Sequence, residues 1–328
     1  YVFGGSDETV EYARQFMEII LLGNVVTHLY LGLNAVLRAS GHPKQAMYAT
    51  IATVAINTIL APIFIFMFDW GIRGAAIATV SAQVIALLWQ LKQFNNANEL
   101  LHFRRGIFRL KRKIVFDSLA IGMSPFLMNL AACLIVILIN QGLKKYGGDL
   151  AIGAFGIVNR LVFIVVMIVM GLNQGMQPIA GYNFGAKLYD RVNKVLKLTI
   201  IYATCVTTFG FLVGMLAPNL VVGIFTSDAE LTELSATGLR ITVMFFPIIG
   251  FQMVTSNFFQ SIGMAGKAIF LSLTRQMLIL LPCLLILPHF FGVAGVWYSM
   301  PVSDLLASLI ALVMLVYQFR KFKTAAAH

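Results

Sequence analysis

Charge is what this sequence has least of. Only 11% of its residues are charged and 59% are hydrophobic, against about 25% and roughly 45–50% in ordinary soluble domains. So little charge cannot clothe a water-facing surface, and most of the surface must meet lipid. Acid is scarcer than base, with 13 Asp and Glu against 24 Lys and Arg. Cysteine is limited to Cys133, Cys205 and Cys283, all inside apolar runs, which excludes a disulfide framework and a zinc-ligand spacing. The five histidines are scattered, and no H-E-x-x-H, G-x-S-x-G or P-loop pattern occurs. These absences argue against an enzyme, a resident metal or a cofactor, and the lengths between helices leave no room for a nucleotide-hydrolysing domain. No cleavable signal sequence is visible.

What is present is a series of long apolar runs, read at 9–36, 44–68, 72–93, 114–142, 150–178, 191–225, 230–261, 267–288 and 293–318. At about 1.5 Å per residue each can cross a hydrocarbon core of about 30 Å as a helix. They are too long for barrel strands and lack the alternation of such strands. The expectation is an all-α integral membrane protein with nine spanning helices in this chain.

The net charge of +11 invites a nucleic-acid reading, which the positions of the basic residues oppose. Arg38, Lys44, Lys92, Arg104, Arg105, Arg109, Lys111, Arg112, Lys113, Lys187, Arg191, Lys267 and Arg320 fall in alternate loops or near the C-terminus. Arg73, Lys144 and Lys145 are the exceptions. This asymmetry places the basic loop 94–113 and the C-terminus in the cytoplasm of a bacterial inner membrane, and the loop with Asp228, Glu230 and Glu233 outside.

The chain also repeats itself. GSDETVEYARQFMEI (5–19) matches TSDAELTELSATGLRI (226–241), LRASGHPK (37–44) matches FQSIGMAGK (259–267), and WGIRGAA (70–76) matches FGVAGVW (291–297). The steady offset is about 221 residues. The second copy then runs as six helices, whereas the first keeps only its last three, and three helices are expected to be missing ahead of Tyr1. The closing AAAH resembles the stub of an expression tag. The domain reading is 1–93 for the last three helices of an N-terminal lobe, 94–113 for a basic linker, and 114–328 for a six-helix C-terminal lobe. Two bundles of one orientation describe a secondary transporter with parallel repeats, in which substrate and ion bind near the midplane between the bundles.

The segments VLRASGHPKQAMYATIATVAINTILAPIFIFMFDWGIRGAAIATVSAQ and NQGMQPIAGYNFGAKLYDRV resemble the multidrug and toxic-compound extrusion family, in its prokaryotic branch. The likeness covers essentially the whole chain and corresponds to helices four to twelve of a twelve-helix protein. It implies export of small-molecule drugs or organic cations, amphipathic in character, in exchange for protons or sodium ions. The chain is expected to act as a monomer in the bilayer. In the resembled family the fifth helix often carries an asparagine and, four residues later, an aspartate before a proline, at a cation site. Here Asn57 is retained but Ala61 stands in the aspartate's place, which favours protons over sodium.

In GLNQGMQPIAGYNFGAK (171–187), Asn173, Gln174 and Gln177 are three or four residues apart and share a helical face, with Asn159 and Arg160 near that face about four turns earlier. Amides facing lipid would lack partners. The stripe therefore faces a cavity, where it can hold substrate or ion, or another helix, which it glues. Counting depth along the runs brings Glu18, Arg160, Arg240, Arg275 and Asp304 near the midplane, where an unpaired charge costs at least about 2.5–3.5 kcal/mol. Asp304 is the deep acid of the second bundle and is expected to pair with Arg160 or Arg275. The pair is a switch if a proton or substrate competes for the carboxylate, and a structural clamp if nothing does. Asp304 and Glu18 are the candidates for ion coupling. The competing reading is a lipid-linked precursor flippase of the same superfamily, with Arg160, Arg240 and Arg275 receiving a phosphate-bearing head group.

Overall fold

The structure is a computed structural model that describes residues 7–96, 101–103, 106 and 110–326. Arg104, Arg105 and Arg109 of the basic segment, the GS pair that opens the first repeat segment, and the last two residues of the closing AAAH lie outside them. The described residues are predominantly helical, without a strand. They divide into two compact units, Tyr1–Leu110 and Lys111–His328, a division that falls within the 94–113 segment.

The first unit holds α1 (Asp7–Leu22), α2 (Asn24–Ala39), α3 (Pro43–Pro62) and α4 (Gly71–Phe94). The apolar run read as one span at 9–36 is a bent pair, with α1 and α2 meeting at 55°. The break is at Gly23, where a Cβ would come within 2.5 Å of Val80 on α4, so only glycine admits the close approach. Proline opens α3 at its first position, where a missing N–H costs nothing. A second proline ends it: Pro62 cannot bond the Thr58 carbonyl and its ring crowds it, and the chain continues as a π-helix, Ile63–Met67. The core is built from small residues, with Ala49 and Ala86 buried beside Tyr30 and Leu87.

In the second unit, α5 (Arg112–Gly185) is two helices joined at Gly148, whose φ of 68° and ψ of −165° are not helical. That backbone region is essentially restricted to glycine. It is followed by α6 (Tyr189–Leu216), the short α7 (Pro218–Val222), α8 (Ala229–Val243) and α9 (Phe246–Ser261). Asp228 caps α8 by accepting from Leu231 N at 2.9 Å, and α8 and α9 form another 55° bend. Then come α10 (Ala265–Leu273), a second π-helix (Thr274–Leu280), α11 (Leu281–Phe291) and α12 (Val293–Ala326). Two apolar clusters make the core, one around Ile139, Phe155 and Trp297 and the other around Val169, Phe258 and Phe259.

Among the described residues six helices are long and apolar enough to cross a membrane, or up to eight if each bent pair is one span. Large apolar side chains face outward along them, Phe66 at 78% exposed and Phe209 at 69% among them. Such a surface is that of a multi-pass membrane protein.

Candidate functional site

The second unit encloses a cavity of about 190 Å³. Its lining combines apolar Ile139, Phe155, Phe246 and Leu280 with polar Asn159, Arg275, Gln276, Ser303 and Asp304. Three elements bring these polar residues together: the C-terminal half of α5, the second π-helix and α12. A π-helix inserts one residue into the α register, a distortion found frequently at functional sites. Here it turns Arg275 and Gln276 into the cavity just ahead of Pro282, whose ring disfavours a regular turn against the Leu278 carbonyl.

The charged centre is an ion pair. Arg275 Nε donates to Asp304 Oδ1 at 2.6 Å, with the Asp304 side chain 3% exposed and that of Arg275 32%. A carboxylate so buried is tolerable only when paired, and the pairing is a single, one-pronged contact on Oδ1. On the residues flanking Arg275 in the chain, Gln276 Oε1 and Thr274 Oγ1 are buried without any hydrogen-bond partner. Other helical threonines of this chain return their hydroxyl to the carbonyl four residues back, as Thr242 does to Gly238 at 2.8 Å and Thr255 does to Phe251 at 2.8 Å. Thr274, the first residue of the π-helix, does not.

The candidate residues scatter over several environments. Asn159 and Asp304 line the same cavity. Arg160 is exposed and outside the lining, so Arg275, of the two partners expected, is the one that holds Asp304. Asn173 is 2% exposed, with neither amide atom hydrogen-bonded. Gln174 is exposed, and Gln177 donates weakly to Asn257 Oδ1 at 3.4 Å. In the first unit, Asn57 is half-buried with its Oδ1 lacking a partner, and Glu18 pairs with Arg14 at 3.3 Å on an exposed face. Gln276 was not expected; the polar triplet Thr274-Arg275-Gln276 inside an apolar run, six residues before a proline, was the signal that marked it. Among the described residues no group of His, Cys, Asp and Glu could hold a metal ion.

The MatE family model matches residues 1–63 and 121–285. The multidrug export protein MepA of Staphylococcus aureus strain MSSA476 is 28% identical over 323 residues, 97% of this chain and 70% of that protein. MepA of Staphylococcus haemolyticus strain JCSC1435 is 28% identical over 319 residues, 96% of this chain and 69% of its own length. Among solved structures, the MATE multidrug transporter DinF-BH, solved as a complex, is 34% identical, with a TM-score of 0.87 over 97% of this chain and 71% of that one. An outward-facing MATE family transporter of the MOP superfamily shares the fold at 23% identity, with a TM-score of 0.90 over 98% of this chain and 72% of that one. These relatives are transporters and not enzymes.

Proposed function

The chain belongs to the MatE family, and from that premise we propose that it exports amphipathic or cationic compounds across the bacterial inner membrane in exchange for protons, by alternating access. The observation that carries the reading is the buried, singly bonded Asp304 carboxylate on a cavity whose lining is otherwise largely apolar. Such a lining suits the body of an amphipathic compound, and a carboxylate with one guanidinium partner can exchange that partner for a proton. Asp304 is the coupling acid. Glu18, on an exposed face, is placed second to it. Asn57, Asn159, Arg160, Asn173, Gln174 and Gln177 are the polar contacts available to substrate or ion.

Counting the halves of α5 as separate spans and each bent pair as one gives nine spans among the described residues, with the C-terminus in the cytoplasm. The reading of two copies is supported by Gly74: a Cβ there would meet the Phe64 carbonyl oxygen at 2.6 Å, and one at Gly295, about 221 residues on, would meet that of Leu287. The lobes are 1–93 and 114–328, and the working unit is the monomer. The relatives' names speak for drug export and give the flippase reading no support.

The test is Asp304→Asn in the intact transporter. In vesicles with an imposed proton gradient, export of a cationic dye is expected to stop while the protein still reaches the membrane. Undiminished export removes Asp304 from the mechanism. Export driven by sodium and indifferent to pH removes the proton.

A further inference from the structure

A carboxyl group that gains and loses a proton needs a different partner in each state. As a carboxylate Asp304 only accepts, and Arg275 Nε supplies the donor. As a carboxylic acid it gains an O–H and needs an acceptor. The same cavity contains one already: Gln276 Oε1, on the residue after Arg275, is buried and accepts nothing. The hydroxyls of Thr242 and Ser303, also in the lining, keep acceptor lone pairs but already have partners, donating to the Gly238 and Met300 carbonyls, whereas Gln276 Oε1 has none. Buried acceptors are rarely left empty, and one on a residue that lines the same cavity as an ionisable acid has a candidate donor in that acid's protonated form.

We infer that Gln276 is a positioning residue of the proton site, accepting the O–H of Asp304 when Arg275 lets go. The step rests on the reading of Asp304 as coupling acid. A proton from water bonds to the carboxylate, no other covalent bond changes, and the hydrogen bond from Arg275 is exchanged for one to Gln276 Oε1. The lining is neutral before protonation and carries the single positive charge of Arg275 after it, so a bound proton disfavours a bound cation. Arg275 and Asp304 are the only titratable side chains among the described residues of the lining. The others on α5, α8, α9, α10, α11 and α12, Arg160, Arg240, Lys267 and Cys283 among them, lie outside it.

The experiment is infrared difference spectroscopy of the intact protein in lipid vesicles, titrated with pH. The carbonyl stretch of protonated Asp304 is identified by its loss in Asp304→Asn. Gln276→Met keeps the side chain's length and removes the amide. In it the band is expected to move up in frequency, toward that of a free acid, and proton binding to weaken by about tenfold. Thr242→Val, which strips a hydroxyl from the same cavity, is expected to leave the frequency where it was. Should Gln276→Met fail to accumulate, Gln276→Asn, with the amide on a shorter arm, is expected to shift the band in the same direction by less. An unmoved band in the Gln276 variants, or an equal shift in Thr242→Val, overturns the role of Gln276. If no Asp304 band forms at any pH, the coupling acid itself is refuted, a result distinct from the other two.

Discussion

Among the described residues two π-helices interrupt the chain, and they are put to opposite uses. The first, Ile63–Met67, has the sequence IFIFM and no buried residue. The second, Thr274–Leu280, has the sequence TRQMLIL, with Thr274 and Leu280 buried and Arg275 bound to Asp304. A proline lies beside each, Pro62 before the first and Pro282 after the second, and supplies the same local cause: a missing N–H and a crowded carbonyl. The distortion is therefore a property of the backbone, and what it does depends on the side chains it carries. In the first unit it carries only apolar side chains, none of them buried. In the second it aims a guanidinium and an amide into a cavity.

The widest gap between the two regions is expected on removing the charge from the second. Arg275→Leu leaves the Asp304 carboxylate buried and unpaired, a loss of about 3–5 kcal/mol, whereas Ile65→Leu in the first π-helix is expected to cost less than about 1.5 kcal/mol. Thermal unfolding of the purified variants measures both. The Arg275→Leu deficit should shrink as pH falls, because protonation makes the stranded acid neutral. Equal losses in the two variants would erase the distinction.

A smaller effect is expected from the prolines. Pro282→Ala removes the clash that disfavours a regular turn, and healing the register by one residue swings Arg275 by about 100° around the helix. Dye export should fall by about tenfold, close to 1.4 kcal/mol of coupling, while Pro62→Ala, with no charged residue on the turn it supports, should leave export within about threefold. If Pro62→Ala is the more damaging, the first π-helix has a role in transport that its side chains do not suggest.

Much of this was legible as length and hydropathy. The apolar runs, the helical class and the deep acid with an arginine partner all follow from which residues tolerate lipid. Three things did not follow. The bend at Gly23 depends on Val80, a contact 57 residues away that no local pattern announces. The π-helix depends on where the helix relieves the crowding at Pro282, which the sequence marks only by the proline. The third is direction: counting 1.5 Å per residue gives depth along a helix but not the side from which a residue looks out. Arg160 and Glu18 are exposed, while Arg275, counted to a similar depth, is turned inward by a register shift. Asn173 and Gln174 differ for the same reason, since neighbours on a helix point about 100° apart.

That missing angle separates the Asp304 pair from the Glu18 pair and sets the smallest expected effect. Arg14 and Glu18 approach to 3.3 Å with side chains 64% and 60% exposed, so each charge keeps its solvent and the pair gains little. Glu18→Gln is expected to lower stability by about 0–1 kcal/mol, and by nothing measurable at high salt, since exposed pairs are weak and screened. Thermal unfolding at low salt and at about 0.5 M, where the Debye length falls to about 4 Å, reads the difference. Asp304→Asn, compared in the same two buffers, should show a loss that salt does not remove, because ions do not enter a site where the carboxyl side chain is 3% exposed. A salt-resistant loss in Glu18→Gln would mean that the acid is enclosed in the working protein. It would then stand beside Asp304 as a coupling group.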